Sequence, residues 1–371
     1  MKLKYLFLPV LALSMIGCNS DDSSDTIPME VEVPVASFIA IGEDSENAYQ
    51  YNFEGSTELG ELINLTQELN VTPDYLTLRE VDDLISFYFF SQGAFSLVVR
   101  DVRTGFSATY SDFFANSPGR SVAWGINTES NVFFGFFGPS GTRNFGVQDV
   151  NLQTTEIQDT AIDVDVDFIF QPLLVNRKVY FVYRTNLGDF KFTFYDTVTQ
   201  SAGPILDFGT IPISFLVADS GDLAIIKNGV AATLELYDAD TLTLLETLPL
   251  QFNTAFSAGP VEGAVFEDGI LYYAFPYVQP SEFPSGPASF DIASQENNLI
   301  DFFGIADDVE AELGESIALT VQLYDPLQNV FLVGYEVLDG SARGGVLQIS
   351  VDGELVFNAS TTFVPTYFVR N

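Results

Sequence analysis

Short apolar runs separated by turn residues recur along most of the chain. Ile213–Ala218 (ISFLVA) is followed by Asp219-Ser-Gly-Asp222, and Leu223–Ile226 by Asn228-Gly229. Leu234–Asp238 is followed by Asp240-Thr241, and Leu244–Leu250 completes the set. Runs of this length broken by Gly, Asn and Asp predict strands joined by tight turns. Other runs are apolar throughout: Ile85–Phe90, Val132–Phe137, Val179–Tyr183, Ile270–Ala274 and Val330–Val333. A strand with one wet face alternates, so these predict strands buried on both faces.

The pattern repeats. Third runs ending in Asp fall at Asp101, Asp149, Asp196, Asp238 and Asp291, in steps of 48, 47, 42 and 53 residues. Further copies at Tyr49–Asn52 and Leu347–Val351 bring the total to seven. The last step is lengthened by an acidic insertion, Ala306–Ser316, expected as an exposed loop carrying Asp307, Asp308, Glu310, Glu312 and Glu315. Four short strands per repeat of ~40–50 residues is the signature of a propeller blade. Pro73, Pro118, Pro212, Pro260 and Pro365 are each expected shortly before an inner strand, where proline suits a loop leading into a strand. The first copy begins at Ala36–Ile41, which reads as a second strand without an inner one. The chain ends with Thr362–Val369, an inner-strand pattern without successors. The fold expected is therefore all-β: a seven-bladed β-propeller over residues 35–371, its ring closed by the C-terminal strand joining the N-terminal blade. By this organisation the chain resembles the YVTN-type β-propellers and related propeller lipoproteins of Bacteroidota, over roughly Ala36 to Arg370. Tyr237-Asp-Ala-Asp-Thr241 is the closest local match, and the Tyr-Val-Thr-Asn tetrapeptide is absent. The resemblance speaks to fold, because such propellers bind or transform many different ligands.

Composition narrows the chemistry. Of 371 residues, 47% are hydrophobic and 14% aromatic, enough for a large core rich in residues that suit a pleated surface. The formal net charge is −37, which disfavours nucleic acid and bare anionic membrane, since phosphate contacts need basic residues. There is no His and a single Cys. Ser-His-Asp and Cys-His catalysis, His-ligated zinc and disulfides within the chain are excluded. Charge is also uneven: Asn228 to Ala342 holds 19 acidic residues and no basic one. That stretch is either a docking face for a basic partner or unselected surface charge.

The N-terminus reads as an address. Lys2 and Lys4 precede an apolar run, Leu6–Ile16, of signal-peptide length. Met15-Ile16-Gly17-Cys18 resembles a bacterial lipobox, with Met15 where Leu is usual. The resemblance implies a signal peptide over 1–17, acylation of Cys18 and a lipidated flexible tether over 18–34. Asn19–Asp25 (NSDDSSD) resembles the acidic signal that places Bacteroidota lipoproteins on the outer face of the outer membrane. It reads equally as a plain spacer.

Candidate site residues follow from where propellers take ligands, at the channel mouth where loops enter the inner strands. They are Asp74, Arg120, Trp124, Asp167 and Glu262. Trp124 offers a stacking surface for a flat ligand, and Arg120 a partner for a carboxylate or phosphate. Each also has a plainer reading, as core or as a surface ion pair. Asp163, Asp165 and Asp167 alternate on an expected strand and so share a face, where they could gather oxygen ligands for calcium. The run resembles the start of an EF-hand loop, but Phe168 replaces the glycine and Leu174 the final glutamate. A solvated acidic strand start explains it too.

Three functions remain open. The first is a non-enzymatic surface module that captures a ligand, such as a nutrient for an outer-membrane transporter, or docks another protein partner. The second is a carbohydrate hydrolase or lyase working through carboxylates or calcium. The third is a scaffold subunit of an envelope complex. An aromatic-lined or Arg-lined mouth without a carboxylate pair favours the first, two carboxylates ~5–9.5 Å apart the second, and a plugged channel with an exposed apolar patch on the rim the third.

Overall fold

A computed structural model describes residues 34–55, 60–251 and 256–370. Seven antiparallel sheets follow one another along the chain and stand in a ring. Blade 2 runs Thr77–Val81, Leu84–Ser91, Ala94–Asp101 and Ser107–Ala115 from the axis outward, and blade 3 runs Ser121–Asn127, Asn131–Phe137, Phe145–Asn151 and Ile157–Asp163. Blades 5, 6 and 7 repeat the order, beginning at Ile213, Val265 and Ile317. In blade 4 the inner strand is split into Val166–Ile169 and Leu173–Val175. Its outer strand is reduced to Ser201–Ala202 and Leu206–Asp207, where Gly203-Pro204 interrupts pairing.

The continuously apolar strands are explained by how the blades stack. Seven core clusters lie among the described residues, each shared by two neighbouring blades and together closing the circle. Along Asn131–Phe137, Val132 and Phe134 pack toward blade 2 while Phe133 packs toward blade 4. Along Lys178–Thr185, Val179, Phe181 and Tyr183 face blade 3, and Tyr180 and Val182 face blade 5. Alternation survives as a choice of neighbour, not of core against water.

Closure is as expected from the two chain ends. Val364–Val369 pairs antiparallel with Phe38–Glu43 and supplies the inner strand of blade 1, whose other strands are Ala48–Phe53 and Glu61–Asn64. The register steps at Ile41/Gly42, where a Cβ on Gly42 would lie 2.3 Å from the Phe363 ring and from the Val364 carbonyl. Two glutamines of blade 7 complete the seam. The Gln348 amide accepts from Ala36 N–H and donates to its carbonyl, both at 2.7 Å, and Gln328 does the same to Ser37.

Two expectations are corrected. The acidic insertion is the helix Phe302–Leu313. Phe302, Ile305, Ala306 and Val309 fall at helical spacing and are buried between blades 6 and 7, which leaves Asp307, Asp308 and Glu312 in water. Asp301 caps its start, and Gly314, at φ +73°, its end. In blade 3 the third strand ends at Asn151, not Asp149. Asn151 accepts the turn N–H groups of Gln153 and Thr154, while buried Asp149 accepts from Asn131 and Gln200.

Candidate functional site

The inner strands enclose a channel of about 820 Å³. Most are apolar or neutral along this wall, and Arg79 is the only basic residue on any of them. It lies in Thr77–Val81 beside Glu80, and alternation sends the two side chains to opposite sides. Arg79 crosses toward blades 3 and 4. Its Nε donates to the Gly125 carbonyl at 3.2 Å and its Nη2 to the Gln171 side-chain oxygen. Nη1 has only a 3.5 Å contact with the Leu78 carbonyl. Among the described residues no carboxylate forms an ion pair with it. Burial pulls its pKa below the ordinary value, against the pull of Tyr88, Glu262 and Tyr367. A guanidinium keeps its proton at neutral pH regardless, so a cation stands in the channel wall held by neutral acceptors.

Glu80 turns toward blade 1. Its two oxygens accept from the Tyr367 hydroxyl at 2.7 Å and from the Arg370 amide at 2.8 Å. Burial pushes its carboxyl above the usual range although both donors act to lower it. Burial and this carboxylate in turn drive the Tyr367 hydroxyl well above its ordinary value.

Glu262 reaches the channel through the connection between blades 5 and 6. Gly259-Pro260 pairs parallel with the inner strand Ile213–Val217, and Val261 N–H donates to the Phe215 carbonyl at 2.9 Å. Gly263, at φ +68°, then packs on blade 7, where a Cβ would lie 2.2 Å from the Gln322 carbonyl. The exposed Glu262 between them lines both the channel and a side recess of about 320 Å³ that it shares with Gln171.

Of the five residues expected at the mouth, only Glu262 lines this channel. Asp74 is exposed on the loop before blade 2 and accepts from Thr72. Arg120 grips both oxygens of Asp159 and lies 4.6 Å over the Phe136 ring. Trp124 is core: it is buried between blades 3 and 4, against Phe181 and the bare backbone of Gly135. Asp167 pairs with Arg184 at 2.8 Å. Asp163 accepts from Tyr183 and from Lys191 at 3.0 Å. Burial works to raise its carboxyl, but the Val164 N–H, Lys191 and Tyr183 together hold it below the ordinary value. Asp165 is exposed in a turn at φ +57°. Asp163 and Asp167 are thus engaged separately, Asp165 stands exposed between them, and no group of three or more metal-ligating side chains converges among the described residues. Cys18 lies outside the described residues. Arg79, Glu80, Gln171 and Tyr367 were missed from sequence, although a lone basic residue on an inner strand was a usable signal for the first.

No protein-family model matches this chain, and no curated protein matches it in sequence. Solved structures match it in shape. Puromycin hydrolase is 12% identical, with a TM-score of 0.51 over 89% of this chain and 55% of that one. A mutant of puromycin hydrolase complexed with PGG is 11% identical, with a TM-score of 0.53 over the same shares. The β-propeller domain of the trilobed protease from Pyrococcus furiosus is 9% identical, with a TM-score of 0.47 over 87% of this chain and 94% of that domain. The chain spans about half the length of the hydrolase. At such identities the likeness is one of fold, and the class it defines is the β-propeller.

Proposed function

We propose that this protein is a non-enzymatic binding propeller, anchored through Cys18 to the outer membrane and facing the cell exterior, which takes a ligand into its central channel for an outer-membrane transporter. The observation that carries the reading is Arg79: a cation with unused donors in the channel wall and no ion-pair partner among the described residues. A binding site leaves such a group for its ligand, whereas a finished structural core pairs it. Glu80, whose raised carboxyl would suit a general acid, has each oxygen taken by a wall donor. The open channel also departs from the plugged one expected of a scaffold.

The test has two arms. Palmitate labelling and surface proteolysis of intact cells should mark the wild type, and Cys18→Ala should abolish the label. Purification from cross-linked outer membranes should then recover a transporter with the wild type and not with the unanchored variant. Unlabelled, periplasmic protein that recovers no transporter overturns the reading.

A further inference from the structure

We infer that the channel ligand is a small zwitterion, of the size of an amino acid or dipeptide, with its carboxylate on Arg79 and its ammonium facing Glu262. This rests on the reading of the channel as the binding site.

Arg79 sets the anionic end. A guanidinium carries five N–H donors. One is spent on the Gly125 carbonyl and one on Gln171, and these anchors, from two other blades, hold its plane across the wall. The remaining donors have only the long Leu78 contact. A carboxylate is the planar, two-oxygen acceptor that such a fork fits.

The rest of the wall argues against a plain anion. The charged lining comprises the carboxylates Glu80, Asp82, Asp83 and Glu262 against the cations Arg79 and Arg370. A dianion such as sulfate or phosphate would meet a net negative wall. Glu262 is exposed, feels Arg79 electrostatically, and lies beyond ion-pair distance of it. Two opposite charges held apart in one channel are matched by a ligand carrying both, because each then gains a partner without either wall residue moving. Gln171 lines the channel and the side recess along with Glu262 and bonds Arg79, so it links the two ends of the site. Leu78, Leu216, Val217 and Leu323 supply apolar wall for an aliphatic side chain.

Calorimetric titration of the full mature protein with four probes tests this: glycyl-leucine, N-acetyl-leucine, leucinamide and sulfate. Glycyl-leucine should bind at least about tenfold tighter than either half-ligand, the worth of one bond to a charged group, and sulfate should not bind. Glu262→Gln, a change at an exposed position, should reduce glycyl-leucine to the level of N-acetyl-leucine, which should itself bind the variant no more weakly than the wild type. Arg79→Lys keeps the charge but loses the fork, and should weaken both carboxylates by a similar factor without affecting leucinamide. Equal binding of N-acetyl-leucine and glycyl-leucine would overturn the zwitterion while leaving a binding channel intact. Failure of every probe, alongside recovery of a transporter, would remove the ligand class and keep the capture reading.

Discussion

Arg79 and Glu80 are neighbours on one strand and meet opposite electrostatic fates. Arg79 forms no ion pair among the described residues, whereas Glu80 is tied to the closing strand by Tyr367 and Arg370. Because burial raises the Glu80 carboxyl in the folded state, its contribution to stability is fully present below the unfolded value of about 4.3 and is lost as pH rises through the folded value. Glu80→Gln should therefore be at least as stable as wild type at pH 7, with the difference vanishing below about pH 4, as measured by denaturant titration across pH. Glu80→Ala strands the Tyr367 hydroxyl and should lower the melting temperature. Trp124 illustrates a different residue-level rule. Its indole N–H is buried without a hydrogen-bond partner, so the residue is there for its ring. Trp124→Ala should cost about 3–5 kcal/mol and Trp124→Phe about 1–2. Glycyl-leucine titration of the folded Trp124→Phe protein should be unchanged, and a binding loss there would refute its placement in the core.

Within a blade, the recurring Asp is a turn device. Asp101, Asp196, Asp238 and Asp291 each accept two backbone N–H groups from the residues that follow. That is the Asx turn, in which the side chain stands in for a backbone acceptor. Their carboxyls are held below the ordinary value, chiefly by backbone N–H groups at Asp101 and Asp291 and by Thr241 at Asp238, and at Asp196 by Thr199 and Val198 against the opposing effect of burial. Asp339, held by Ser341 and Arg343, lies at about 2. The sign is the reverse of Glu80: this stability is present above about pH 4 and is lost as pH falls through the folded values. The combined Asp→Asn variant at Asp101, Asp196, Asp238 and Asp291 should keep its fold at pH 7, because Asn accepts the same bonds. It should also unfold less steeply than wild type between pH 4 and pH 2. An unaltered acid transition by circular dichroism would show that other groups control it.

For the whole ring, closure turns on blade 1. Five blade boundaries join segments consecutive in sequence, while the two that flank blade 1 also bring together residues about 300 apart, Glu80 with Tyr367 on one side and Ala36 with Gln348 on the other. Gln348 is fully buried there and matches both backbone groups of Ala36, as an adjacent strand would. Gln348→Ala should cost about 1–3 kcal/mol for each group left unpaired, with the loss seen first as hydrogen exchange at Ala36 and Ser37. Equal exchange in variant and wild type would move the lock elsewhere, with Gln328 the next place to look.

Much of this was legible in the order of residues. Repeated short runs, turn residues at regular steps and a missing inner strand specify blades, their number and their closure, because strand period and turn chemistry are local. The helix Phe302–Leu313 was also readable locally, from its apolar spacing and its caps, but was hidden by its acidic face. What folding alone decided is which side chains share the axis. Arg79 in blade 2, Gln171 at blade 4 and Glu262 before blade 6 are far apart along the chain, and although Arg79 and Glu262 each carry a local signal, nothing local says that the three meet. Trp124 on an inner strand and Arg120 just before it both turned away from the axis, one into the core and one onto Asp159. A strand's pattern says that its faces differ; the neighbouring blade decides what each face meets.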